Sequence, residues 1–304
     1  MWNYLLYVKE NIPECWREQP YWDRLCCNLS QHGVSVVELN TIYSTENLRA
    51  QLQDAGIPAE EGLLFAWRET ELAACQTLSL ANVAYECREV SFSQGDLGKA
   101  QMLLLGLEET DYTFLLRVYQ RKHNIPWEIL RTRRCILREL CMQDIDALYE
   151  LYDKPGITNY VEPLYEKDEE EEYQRQYIAN IYGFYGYGMW LVFDRNSGTL
   201  MGRAGLEHRL DEEGKGVLEM GYLIAPEYQR QGYGGEVCAG ILSWAEANLD
   251  FPAVRCLVQR GNTASEMLLK RLGFSRDGST WQDGKEYLCF VYVFRRKAGV
   301  CMEG

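Results

Sequence analysis

Between residues 222 and 236 an apolar run passes through a turn and opens directly into an amphipathic helix, and this junction limits the possible folds more than any other stretch. It reads Tyr222-Leu223-Ile224-Ala225-Pro226-Glu227-Tyr228-Gln229-Arg230-Gln231-Gly232-Tyr233-Gly234-Gly235-Glu236. From 232 to 248 the spacing predicts a helix, with Val237, Ile241 and Trp244 on one stripe and Cys238, Leu242 and Ala245 beside it. Glycine lets the main chain approach a ligand without a side chain in the way. The first amides of a helix have no intrahelical partner and lie at the positive end of its dipole. A strand, a glycine turn and a helix start in that order make an anion site suited to a pyrophosphate, whereas the bland reading is a tight turn and nothing more.

The rest of the chain divides in two. Residues 1–122 alternate short apolar runs (4–8, 34–39, 63–67, 83–87, 102–105) with helical patterns (15–29, 45–54, 70–78, 111–122). That alternation predicts an α/β domain, Rossmann-like or flavodoxin-like, with a parallel sheet wrapped by helices. The turn after its first strand, Lys9-Glu10-Asn11-Ile12-Pro13, holds no glycine, so a nucleotide site is not supported there. The layout loosely resembles the haloacid-dehalogenase phosphatase core, but the Asp-x-Asp nucleophile pattern is missing. The resemblance therefore implies a scaffold, dimer surface or specificity module. The basic, proline-bearing stretch 121–127 reads as a joint, giving domains 1–125 and 128–297 and a tail 298–304.

After the joint the order is strand (132–140), helix (143–152), an acidic helix (168 to about 182), strands (189–193, 200–207, 217–224), helix (232–248), strand (253–259), helix (263–271) and a strand pair (274–279, 287–294), a mixed-sheet α+β pattern. Carboxylates at 168–172 complement a helix dipole, or else form an acidic substrate patch.

Composition excludes several function classes. With 47% apolar and 25% charged residues the chain is globular, and its apolar stretches are far too short to span a membrane. A net charge of −14 argues against binding a nucleic-acid backbone and favours a cationic acceptor, though acidity also serves solubility. The eleven cysteines are scattered and odd in number, as expected of thiols in a reducing cytoplasm. There is no CxxC pair and the three histidines are far apart, so no metal site is expected.

The junction is followed by Asn262-Thr263-Ala264-Ser265 opening a second helix that ends in Leu272-Gly273-Phe274. With these motifs in this order the second domain resembles the GNAT superfamily of acyl-CoA N-acyltransferases, and Leu218-Glu219-Met220-Gly221-Tyr222 is similar to the subgroup that acetylates ribosomal-protein amino termini. The resemblance implies a GNAT-fold domain with acetyl-CoA as co-substrate. Gln229, Arg230, Gln231, Gly232, Tyr233, Gly234 and Gly235 would hold the pyrophosphate. Asn262 and Ser265 would lie along the pantetheine, and the amides of Leu223 and Ile224 would hold an oxyanion. The acceptor is then a primary amine of a small molecule or a peptide terminus, and a homodimer is left open. Glu219 is the candidate general base, the alternative being an exposed carboxylate or a partner of Arg203. The family's usual general-acid tyrosine falls at Leu269, which leaves Tyr233, Tyr222 or water as the proton source. His208 reads either as acceptor-facing or as a surface histidine, and Trp190, Tyr182, Tyr185 and Tyr187 either as acceptor-side aromatics or as core. The alternatives within this resemblance are a transferase with another acyl donor and a non-catalytic acyl-CoA-binding module.

Overall fold

A computed structural model describes residues 1–13, 16–88, 90, 92–210 and 214–295. The expected tail 298–304 lies outside the described residues, as do residues 211–213. The chain forms two compact units, Met1–Ile125 and Pro126–Gly304.

The first unit runs β1 (Tyr4–Val8), α1 (Gln19–Gln31), β2 (Ser35–Leu39), α2 (Thr45–Asp54), β3 (Gly62–Ala66), α3 (Glu69–Gln76), β4 (Ala81–Tyr85), β5 (Leu103–Leu104) and α4 (Tyr112–Lys122). All the strands pair in parallel, in the order β2-β1-β3-β4-β5, which is the flavodoxin-like doubly wound order. β3 and β4 are buried at every position, as a sheet covered on both faces requires. Alternate residues feed separate cores. Leu5, Leu63 and Phe65 pack with Trp22, Leu25 and Leu29 of α1 and with Leu115 of α4. Leu6, Leu64 and Ala66 pack with Leu48 of α2 and Leu72 of α3.

The order of the strands reverses between β1 and β3, which opens a crevice at their carboxyl ends. Polar side chains fill it. The buried Glu71 carboxylate accepts from the amides of Trp67 (2.7 Å) and Arg68 (3.2 Å) and from the Asn11 amide group, while Arg68 Nε donates to Asn11 Oδ1 (3.1 Å). Gln94 closes the neighbouring strand ends by donating to the carbonyls of Trp67 (3.0 Å) and Tyr85 (2.8 Å).

The second unit contains β6 (Glu128–Arg131), β7 (Cys135–Arg138), α5 (Ile145–Tyr152), α6 (Lys167–Gln176), a π-helical segment (Tyr177–Tyr182), α7 (Gly183–Tyr185), β8 (Met189–Asp194), β9 (Leu200–Leu210), β10 (Gly216–Ile224), α8 (Tyr233–Asn248), β11 (Ala253–Gln259), α9 (Thr263–Leu272), β12 (Ser275–Gln282) and β13 (Lys285–Val293). Its eight strands order as β12-β13-β11-β10-β9-β8-β7-β6. The pairing is antiparallel except for β10 with β11. The stripe Val237, Cys238, Ile241, Leu242 and Ala245 of α8 enters the main core together with Leu218, Met220, Trp190 and Val254.

Two expectations fail locally. The strand expected at 132–140 is confined to β7, and a strand not expected, β6, precedes it to make a hairpin, because Thr132 and Cys135 close a tight turn: Thr132 N–H donates to Cys135 O (2.8 Å) and Cys135 N–H donates to Thr132 Oγ1 (2.9 Å). The acidic helix changes to π geometry at Tyr177. Tyr177 Oη accepts from Met189 N–H (2.9 Å) and Tyr182 Oη donates to Met189 O (2.5 Å). Two residues five apart share a helix face only when the turn lengthens to the i→i+5 spacing.

The Glu71→Ala variant strands two buried amides and the Asn11 amide group. It is expected to lower stability by about 3 kcal/mol, read from the urea midpoint of the first unit's transition; a loss below ~0.5 kcal/mol would show that the network is incidental.

Candidate active site

The site grows from a mismatch in strand length. β10 and β11 register only at Leu218↔Val254 and Glu219↔Arg255, yet β10 continues to Ile224 against β9. Past Glu219 the two strands part. Antiparallel pairs alternate between bonded and non-bonded, and Ala225 N–H bonded to Met201 O (2.8 Å) sets the phase. Leu223 and Gly221 therefore spend their amides on β9, while the amides of Tyr222 and Ile224 turn to the open side. Of the two amides expected to meet an oxyanion, that of Ile224 is open; that of Leu223 is bonded to β9, and the second open amide is that of Tyr222.

At the end of β10 the chain forms the expected loop. Gln229 Nε2 donates to Ile224 O (2.8 Å) and Gln231 Nε2 to Glu227 O (2.6 Å), so both glutamines brace the backbone. Arg230 (φ +58°) and Gly232 (φ +84°) are left-handed, and Gly232 is the N-cap of α8. Left-handed turns at a helix start point successive amides to one concavity. At Gly234 and Gly235 a β-carbon would meet Leu268 at 3.4 and 3.5 Å, ordinary contact distances. Packing therefore does not demand glycine there, and what the missing side chains supply is access to the amides.

A cation that the motif did not disclose completes the loop. Arg134, from the β6–β7 turn, donates from Nε to Glu236 Oε2 (2.7 Å) and from Nη1 to Gln231 O (3.1 Å), and its guanidinium lies 3.9 Å from the centre of the Tyr233 ring. Glu236 also accepts from Thr132 Oγ1 and from Arg134 N–H, both at 2.7 Å. Burial alone would raise the Glu236 pKa, but the Thr132 and Arg134 bonds outweigh it and hold the carboxyl below its usual value.

Glu219 stands where the strands part. Oε2 accepts from Arg255 Nε (3.0 Å) and Nη2 (2.9 Å), so its partner is Arg255 of β11, not Arg203, and among the described residues no donor reaches Oε1. Glu219 shares a strand face with Gly221 and Leu223, away from the core-facing Leu218 and Met220.

Tyr233 is committed to the loop, its ring against Arg134 and edge-on to Tyr228 at 5.8 Å. The Tyr222 hydroxyl is instead buried in the interior, where no hydrogen bond closes on it and the Ser265 side chain faces it. Burial first, then the neighbouring Cys256 and Cys238, push its pKa up, so it stays protonated and remains a donor. Asn262 caps α9, its Oδ1 accepting from Ser265 N–H (3.1 Å). Leu269 is fully buried in the core.

The remaining aromatic and acidic residues are mostly structural. Trp190 meets Trp244 edge-on at 5.1 Å, and Tyr182 and Tyr187 are buried. His208 stacks on Tyr185 (5.1 Å), on the strand face opposite Glu207 and Glu219. In α6, Asp168, Glu169 and Glu170 occupy the first turn, and Arg175 pairs with Glu171 and Glu172.

The parallel strand pair thus parts and leads into a loop of open amides at the start of α8. The family description "Acetyltransferase (GNAT) domain" matches residues 134–275. The uncharacterised N-acetyltransferase YoaA of Bacillus subtilis is 30% identical over 170 residues, which cover 54% of this chain and 94% of YoaA. The uncharacterised N-acetyltransferase p20 of Bacillus licheniformis is 24% identical, with 55% and 94% covered. Among solved structures, a GNAT-family acetyltransferase from Bordetella pertussis, 22% identical, covers 54% of this chain and 99% of its own with a TM-score of 0.47. The Salmonella typhimurium enzyme that modifies the N-terminal serine of ribosomal protein L7/L12 is 17% identical, with 56% and 100% covered and a TM-score of 0.47. The chain belongs to the GNAT acetyltransferase family and is an acyltransferase; the likeness lies in its second unit, and the first has no counterpart in these relatives.

Glu236→Gln is expected to cost about 1 to 2 kcal/mol at pH 7. Because the folded-state pKa is depressed, the contribution is complete above the ordinary carboxylate value, about 4.3, and is lost as pH falls through the lower folded value. Urea melts of both proteins from pH 7 to 3 check this; a gap that does not shrink on acidification would contradict it.

Proposed function

We propose that the second unit transfers the acetyl group of acetyl-CoA directly to a primary amine, of a small molecule or a peptide amino terminus, with no acyl-enzyme. The observation that carries this reading is the parting of β10 from β11 immediately before the amide-lined loop at the start of α8.

The pyrophosphate rests on the amides of Tyr233, Gly234 and Gly235, with Arg134 beside Gly232, and the pantetheine runs through the opening past Asn262 and Ser265. The thioester carbonyl oxygen meets the amides of Tyr222 and Ile224. The acceptor nitrogen attacks the carbonyl carbon, negative charge develops on that oxygen, and the two amides stabilise it. Glu219 Oε1, directly or through water, takes the ammonium proton, while Arg255 keeps the side chain at the strand edge. As the C–S bond breaks, the departing thiolate takes a proton from water or from a tyrosine, Tyr222 or Tyr233. The free thiols of the described cysteines suit a reducing cytoplasm and have no part in this route.

Isothermal titration with acetyl-CoA tests the reading. Micromolar binding is expected, and it should be lost in the folded Gly232→Asp/Gly234→Asp variant. Glu219→Gln should keep that binding while lowering kcat by about 100-fold. Wild-type protein that does not bind acetyl-CoA would overturn the transferase reading, and unchanged turnover in Glu219→Gln would remove the base.

A further inference from the structure

The parting of the strands leaves one charged group unaccounted for. Arg203 lies on β9 directly across from Leu223, the residue whose neighbours supply the oxyanion amides. It is 8% exposed, and its Nε is buried with no hydrogen-bond partner. Its polar surroundings are tyrosines, Tyr152 of α5 and Tyr177 and Tyr182 of the π segment. The carboxylates on the same side are engaged elsewhere: Glu219 by Arg255, and Glu207 by Arg209. Among the described residues no carboxylate pairs with Arg203. A guanidinium buried without a counter-ion is costly, and proteins ordinarily pair or neutralise such a charge.

The place of the residue indicates what neutralises it. Cross-strand partners project to the same face, so Arg203 shares with Leu223, Gly221 and Glu219 the face under α5 and the π segment, opposite the α8 face. Gly221 brings no side chain to this face and Met189 lies over it, its Cε 3.2 Å from where a β-carbon would stand. The face thus carries a cation beside the transfer point and a carboxylate, Glu219, further along β10. Glu219 stands four residues from Leu223 on β10, roughly 13 Å along the strand at about 3.3 Å per residue, so the cation and the carboxylate lie at the two ends of the face with the transfer point beside the cation.

Taking the acetyl-transfer reading above as given, we propose that the acceptor is a small amino carboxylate, its ammonium directed to Glu219 and its carboxylate bound by Arg203. The acceptor's carboxylate completes the ion pair that the fold leaves open, and polyamines and basic peptides, lacking it, are poor acceptors. Arg203 is a specificity-determining residue of the acceptor side, and it takes no proton and contacts no part of the coenzyme.

The test uses the full chain with acetyl-CoA and follows thiol release for amino acids, their carboxamides, the corresponding decarboxylated amines, and spermidine. The best amino acid should exceed its amide at least tenfold in kcat/KM. Arg203→Leu should raise KM for the amino acid at least tenfold with kcat nearly unchanged, leave the amide unaffected, and be partly rescued by Arg203→Lys. Thermal denaturation reads the same contact without turnover: free amino carboxylates should raise the Tm of wild type but not of Arg203→Leu, whose own Tm should be no lower than wild type. Equal activity on amino acid and amide, or an equal KM increase for both in Arg203→Leu, overturns the proposal. If no amine is turned over while acetyl-CoA still binds, the transfer reading fails, and the Tm shifts alone decide the carboxylate site: their absence from wild type overturns it.

Discussion

The second unit depends on where the single parallel strand pair stops. All other neighbours in the eight-stranded sheet are antiparallel, and β10 is held along its whole length by β9. Backbone amides inside a sheet are ordinarily paired. Because β11 leaves after Glu219, the amides of Tyr222 and Ile224 are free to meet a ligand at no cost to the ladder on the other edge. The same divergence sets Glu219 and Arg255 at its apex and leads β10 directly into the loop and helix that present further amides. The amide-lined loop, the open amides of Tyr222 and Ile224 and the position of Glu219 all follow from one change in pairing, and the roles proposed for them rest on it.

Charge is distributed to match. Overall the chain is strongly acidic, and an anionic coenzyme must therefore be received by main-chain amides and a few placed cations. Arg134 is one, fixed by Glu236 and Thr132 so that its guanidinium stands over Tyr233 at the loop. Arg255 fixes Glu219, and Arg203, on the same face, has no carboxylate partner among the described residues. Fixing each group before substrate arrives is what lets weak individual contacts act together in the transition state.

Much of this was legible in the sequence, for physical reasons that can be named. Period-2 and period-3.6 patterns separate strands from helices, and glycine before an amphipathic run marks a helix start, so the two-part α/β architecture and the loop that precedes α8 could be read directly. The partners of individual side chains could not. Arg134 is distant in sequence from Gly232, and Arg255 from Glu219; only the fold joins them, and so the sequence suggests Arg203 where the fold supplies Arg255. The phase of the β10 ladder is equally invisible, since it depends on the register with β9, and it leaves the amide of Tyr222 open in place of that of Leu223. The π segment escaped notice because its cause, two tyrosine hydroxyls meeting at Met189, lies in a strand beyond the helix.

The first unit shows what topology alone does not decide. Its flavodoxin-like strand order places a crevice where such sheets take ligands, yet Glu71, Asn11 and Arg68 fill it with one another. The proposed coenzyme site is instead the opening between β10 and β11, and amide hydrogen exchange with and without acetyl-CoA tests that directly. Protection is predicted at residues 222–224 and 230–236, with the amides of the first unit unchanged. Protection confined to residues 1–125, or none at β10 and its loop, would contradict the assignment.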